Sequence, residues 1–149
     1  MFFLMAAMAS DDPYDETANA KQEIKQALAQ PETNQMPVIV VFGANWCPDC
    51  IMLDHALTKG ASTSPLVRDF KIVKVNVSLN DGQFDTNLDI AQSYGVPLAK
   101  GIPAVVILSP KNEVLYATKA GELADAYQMG DKGIYQFFKR VTASAKILK

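Results

Sequence analysis

Val38-Ile39-Val40-Val41-Phe42-Gly43-Ala44-Asn45-Trp46-Cys47-Pro48-Asp49-Cys50 is the stretch that decides the fold. Its first five residues are apolar and mostly β-branched, which predicts a strand buried on both faces, the pattern of a central parallel strand. Gly43-Ala44-Asn45 turns the chain. Pro48 then suits the first turn of a helix running from Cys47 to about Lys59, before Gly60. A strand therefore feeds directly into a helix, with both of the chain's cysteines at the junction.

Side chains three residues apart on a helix are neighbours, so Cys47 and Cys50 are spaced for a disulfide that opens and closes without backbone movement. Cys47 meets the unsatisfied amides and positive dipole end of the helix, which can lower a thiol pKa from about 8.5 into the range of about 3.5 to 7.5. Cys50 shares its face with Leu53 and Leu57, so its sulfur should point inward and stay protonated until a mixed disulfide forms. Cys47 is the candidate nucleophile and Cys50 the candidate resolving thiol. Blander readings are a static disulfide or half of a zinc site. Zinc would need two further ligands and the chain has one histidine, so no metal is expected. That histidine, His55, lies about two helical turns beyond Cys47, out of reach for a catalytic base. Asp49 is read either as a catalytic group or as favourable first-turn charge. In both cases its carboxylate opposes a nearby thiolate and tilts the couple towards a reductant.

Working outward, Asp11-Asp12-Pro13 offers a cap followed by proline, and Ile24 and Leu28 recur at helical spacing. These signals predict a first helix from about Pro13 to Gln30. Met1 to Ala9 is apolar, too short to span a bilayer, and ends in Ala7-Met8-Ala9, which fits a small-residue cleavage site. Residues 1–10 are expected to be a signal-like terminus and residues 11–149 one domain, periplasmic or secreted. No basic residue precedes the apolar run, so a cytoplasmic location is the alternative. Downstream, Ser64-Pro65 opens a short helical piece through Phe70, and Lys71 to Val77 reads as a strand. Asn80-Asp81-Gly82 makes a loop, and Leu88 to Tyr94 a short helix closed by Gly95. Ala104 to Leu108 is an apolar strand joined by Ser109-Pro110-Lys111-Asn112 to a hairpin partner, Glu113 through Thr118. A last helix, about Ile134 to Leu148, carries Ile134, Phe137, Phe138 and Val141 on one stripe.

The chain has 149 residues, 49% hydrophobic and 20% charged, which suits one globular core and excludes a disordered chain. A net charge of −2 leaves no basic field for phosphates, so nucleic acid is not an expected partner. A monomer is expected.

Trp46-Cys47-Pro48-Asp49-Cys50, following a strand, resembles the active-site motif of the thioredoxin-like family, and Trp-Cys-Pro-x-Cys is similar to that of tryparedoxins. Gly101-Ile102-Pro103, leading into an apolar strand, resembles the family's cis-proline loop. Lys74 matches a family strand lysine and Gly121 the late glycine near the substrate groove. The resemblance spans Val38 to Gly121. It implies an α/β thioredoxin fold, a central mixed β-sheet flanked by helices, and thiol–disulfide exchange without an organic cofactor. It also implies that Trp46, Pro48, Ile102 and Pro103 meet the substrate, a disulfide-containing protein, and that an upstream donor protein re-reduces the pair. Two departures stand out. Val41 replaces the family's buried aspartate, which removes the usual resolving base and leaves Lys74 without its family partner; Asp49 is the expected substitute. Glu122 to Gly133 is longer than the family needs, and the sequence offers no account of it. The leading reading is a protein-disulfide reductase. A disulfide oxidase or isomerase, and a redox-inert binding module on the same fold, are the alternatives.

Overall fold

A computed structural model describes residues 12–31, 35–77, 79–80 and 83–144. The apolar run is strand β1 (Val38–Gly43), buried along its whole length. It pairs in parallel with β2 (Lys71–Asn76) and antiparallel with β5 (Ala104–Leu108). An antiparallel hairpin then adds β6 (Val114–Ala117) to β5, giving the order β2-β1-β5-β6. This is the mixed sheet that the resemblance implied. A separate two-residue hairpin, β3 (Leu79–Asn80) and β4 (Gln83–Phe84), lies between β2 and the next helix. The signal-like residues 1–10, the expected loop residues Asp81 and Gly82, and the end of the last helix lie outside the described residues.

The helices flank the sheet. Helix α2 (Pro48–Lys59) packs against α3 (Thr63–Val67) and α5 (Ala126–Ser144). Helix α1 (Ala20–Leu28) lies against β1 and β2 and is tied to α4 (Leu88–Ser93) by Lys21 and Asp89, 2.9 Å apart. Phe137 stacks edge-on with both Phe138 and Tyr116, at 5.1 and 5.8 Å between ring centres, fixing α5 against β6. The β5–β6 turn is the one its sequence predicts. Asn112 takes a left-handed φ of 64°, and the Ser109 hydroxyl accepts from the amides of Lys111 and Glu113.

Two boundaries differ from the sequence reading. Helix α1 starts at Ala20 rather than near Pro13, because Asn19 is the residue that caps it, its side chain accepting from the Gln22 amide at 3.1 Å. Residues 13–18 instead form turns in which the Asp15 carboxylate accepts from the Thr17 amide and hydroxyl. That path carries Tyr14 into the core, 2% exposed. At the other end, α5 begins at Ala126 instead of Ile134 and breaks at Gly130 (φ 64°). The glycine lets a first turn, ending at Met129, change direction before the main amphipathic helix.

Candidate active site

The β1–α2 junction builds the site. Cys47 is the N-cap of α2 and Pro48 fills the first helical position, where its missing amide costs nothing. The Cys50 amide, one of the orphan donors of the first turn, donates to Cys47 Sγ at 3.2 Å. Cys47 Sγ also approaches the Ile102 carbonyl at 3.8 Å, a long contact even for sulfur. Both thiols are free and buried, Cys50 completely. The hydrogen bond from the Cys50 thiol leads in holding the Cys47 pKa down to about 7; burial and the Asp49 charge oppose it, while the Cys50 amide assists. The same hydrogen bond pushes Cys50 in the opposite direction, far above the ordinary thiol range, and burial adds to it. One sulfur is therefore poised to ionise while the other keeps its proton.

The structure brings together most of the residues singled out from the sequence. Ile102 is beside the nucleophile, and the Ile102–Pro103 peptide bond is cis. Both residues are buried. Trp46 is 55% exposed next to Cys47, and Pro48 is exposed on the other side. The Asp49 carboxylate accepts from the Tyr127 amide at 2.9 Å, and its charge still acts on both sulfurs.

That contact explains part of the long stretch 122–133, which ties α5 to the motif helix. Glu122 accepts from the Lys119 and Ala120 amides and from the Tyr116 hydroxyl. Leu123 and Ala126 are fully buried. Asp131 accepts from the amides of Ser62 and Thr63 at 2.7 and 3.0 Å, capping α3 from across the molecule. Tyr127, 68% exposed, joins Pro48, Ile51, Met52 and His55 around an apolar groove beside the cysteines.

The expectation that Lys74 lacks a partner is overturned. Val41 stands directly opposite Lys74 in the sheet register, so the strand supplies no acid. Asp54 of α2 supplies one instead, with its Oδ1 3.0 Å from Lys74 Nζ and both side chains partly covered. Asp54 follows Cys50 by one helical turn, so the carboxylate that pairs with Lys74 sits on the motif helix and not on the strand. That spacing was readable; the pairing with Lys74 needed the sheet register. Tyr14 and Asn45 were missed altogether. The Tyr14 amide donates to Asn45 Oδ1 at 2.9 Å and Asn45 Nδ2 donates to the Tyr14 carbonyl at 2.8 Å, a clamp that no local pattern announces.

Among the described residues, no cluster of side chains is arranged to hold a metal ion, and no helix is long and apolar enough to cross a membrane. Residues 19–110 match the family model described as thioredoxin-like. The chain is similar to the crystal structure of a disulphide isomerase from Xylella fastidiosa, at 44% identity, covering 90% of this chain and 99% of that one, with a TM-score of 0.78. A thioredoxin from Thermus thermophilus shares the fold, at 24% identity, 82% coverage of each chain and a TM-score of 0.50. The thiol:disulfide interchange protein DsbD of Campylobacter jejuni is 28% identical over 85 residues, which are 57% of this chain but only 14% of that protein. The chain belongs to the thioredoxin-like family of thiol–disulfide oxidoreductases.

Proposed function

We propose that the chain reduces disulfide bonds in protein substrates. The observation that carries this reading is the opposed state of the two thiols at the head of α2, Cys47 drawn down to about 7 and Cys50 held protonated. The Cys47 thiolate attacks one sulfur of a substrate disulfide, and the other leaves as a thiolate. Cys50 then loses its proton and attacks Cys47 Sγ, closing the Cys47–Cys50 disulfide and releasing the second substrate sulfur. Asp54, one turn along the helix and paired with Lys74, is the carboxylate available to that proton. Asp49, whose charge acts on Cys50 and whose carboxylate also accepts from the Tyr127 amide, is the other candidate.

Trp46, Pro48, Ile102 and Pro103 surround the nucleophile and form the face on which substrate docks. An upstream protein donor returns two electrons, and neither an organic cofactor nor a metal enters the exchange. Residues 11–149 work as one monomeric domain, and the apolar residues 1–10 direct it to the periplasm or outside the cell.

Equilibration in glutathione redox buffers tests the direction. A reductase has a potential well below about −180 mV, and a value above that overturns the reading in favour of an oxidase. Insulin-disulfide reduction must also disappear in Cys47→Ser; activity persisting there would make the fold a docking module. The likeness to a disulphide isomerase favours isomerisation as the second reading. An isomerase attacks and is released through one thiol, so its activity survives Cys50→Ser, whereas reduction to completion does not.

A further inference from the structure

Tyr14 is buried, yet its hydroxyl is the one buried side-chain polar atom among the described residues with no hydrogen-bond partner. Leaving a phenol unpaired in a core is costly, so such a group calls for an explanation, and a role in catalysis or redox chemistry is one. Its position is tightly specified. Asn45 grips the Tyr14 backbone through both its amide and its carbonyl, and Asn45 belongs to the loop that carries Trp46 and Cys47. The ring reaches the motif beside Gly43, the last residue of β1. A Cβ on that glycine would overlap the Tyr14 hydroxyl oxygen and stand 3.0 Å from Cys50 Sγ. Phenol and resolving sulfur thus share the space that the missing side chain leaves open.

We propose that Tyr14 is a positioning residue for the resolving step, its hydroxyl donating a hydrogen bond to Cys50 Sγ as that sulfur becomes a thiolate. This rests on the exchange reaction proposed above and assigns one group to its second half. In the mixed disulfide, the Cys50 proton passes to the Asp54 carboxylate. The Cys50 thiolate forms a bond to Cys47 Sγ, the bond from Cys47 to the substrate breaks, and the electron pair leaves on the substrate sulfur, which takes a proton from water. The cysteine pair is oxidised by two electrons and the substrate reduced by two. Without a donor at Cys50, a fully buried thiolate would face only the Ala44 amide, whose hydrogen bond already acts on it. Burial first, and then the negative charge of Cys50, Asp54 and Cys47, keep the phenol protonated, so it remains a donor throughout the working pH range. These three groups, with Lys74 paired to Asp54 and with Asp49 acting on Cys50, are the charges that bear on it.

A symmetric aromatic disulfide with a coloured leaving thiol separates the two halves. Attack by Cys47 releases the first equivalent of colour and resolution by Cys50 the second. In Tyr14→Phe the first phase should keep its rate, while the second slows about tenfold or more, the worth of a hydrogen bond to a charged group. The pH midpoint of the second phase should also rise, which loss of packing alone would not cause. The melting temperature should stay the same or rise, because the substitution removes only an unpaired buried hydroxyl. A second phase as fast as in the unsubstituted protein, with the same pH midpoint, overturns the proposal whether or not stability changes. Absence of a second phase in the unsubstituted protein would instead refute the exchange reaction itself.

Discussion

Cys47 and Cys50 have the same thiol, and their different behaviour comes from where each sulfur ends up. Cys47 caps the helix and receives hydrogen bonds, while Cys50 is sealed inside. Asp49 lies between them in sequence, and its charge works against the Cys47 thiolate. Reactivity of Cys47 towards an alkylating reagent follows its thiolate fraction, so the rate should climb through about pH 7 and then level off. Asp49→Asn removes the opposing charge but keeps an oxygen for the Tyr127 amide, so the midpoint should move to lower pH. An alkylation-rate profile checks this; an unchanged or higher midpoint would rule out the carboxylate as a charge that opposes the thiolate. The placement of the two cysteines was legible because its causes are local, namely the strand-to-helix junction and the phase of one helix. Tyr14 was not legible, because the residue that holds it, Asn45, follows it only after a helix and a strand.

At the scale of elements, the four strands of the main sheet were read almost to the residue, since β-branched runs and turn residues declare themselves within a few positions, whereas the short β3–β4 hairpin fell where a loop was expected. The helix ends were read less well, because competing caps decide them and some caps come from distant parts of the chain. Asp131 is such a cap, reaching from α5 to the first amides of α3. The opposite boundary of this contact is Gly60, where a Cβ would collide with the Asp131 carboxylate. Burial would raise the Asp131 pKa, but the hydrogen bonds from Thr63 and Ser62 outweigh it and the net shift is downward. A lowered folded-state pKa means that the carboxylate stabilises the protein above its unfolded value near 3.9 and loses that effect as pH falls below it. Asp131→Ala should therefore cost about 0.5–2 kcal/mol at neutral pH, the range for a helix cap truncated to alanine. Denaturant titrations at several pH values should show the difference from the unsubstituted protein shrinking as the pH drops through about 4. The sequence contained Asp131 inside a stretch that read as surplus; the partner amides lie on another element, which is why its role was invisible.

At the scale of the whole molecule, redox direction and folding stability are two sides of one thermodynamic cycle. The oxidised and reduced proteins each fold and unfold, and the disulfide can form in either the folded or the unfolded chain. If the native fold favours the disulfide more than the unfolded chain does, the oxidised form is the more stable and the protein is a reductant. A fold that instead stabilises the free thiols makes an oxidant. Here the native reduced state keeps Cys50 buried and protonated and lowers Cys47 only to about 7, a modest stabilisation of one thiolate. Its sulfurs already lie at the geometry of a helix's first turn, so closing the bond disturbs little. The oxidised protein should consequently melt at a higher temperature than the reduced one. Each 30 mV by which the native potential lies below that of the unfolded chain adds about 1.4 kcal/mol to the oxidised form. For a chain of this size, that is roughly 2–4 °C of melting temperature per kcal/mol. Paired thermal melts, one with excess reductant and one of the oxidised protein with no free thiol, measure the difference directly. A reduced form that melts higher would close the cycle in the opposite sense and make the chain an oxidant, whatever its sequence motif resembles.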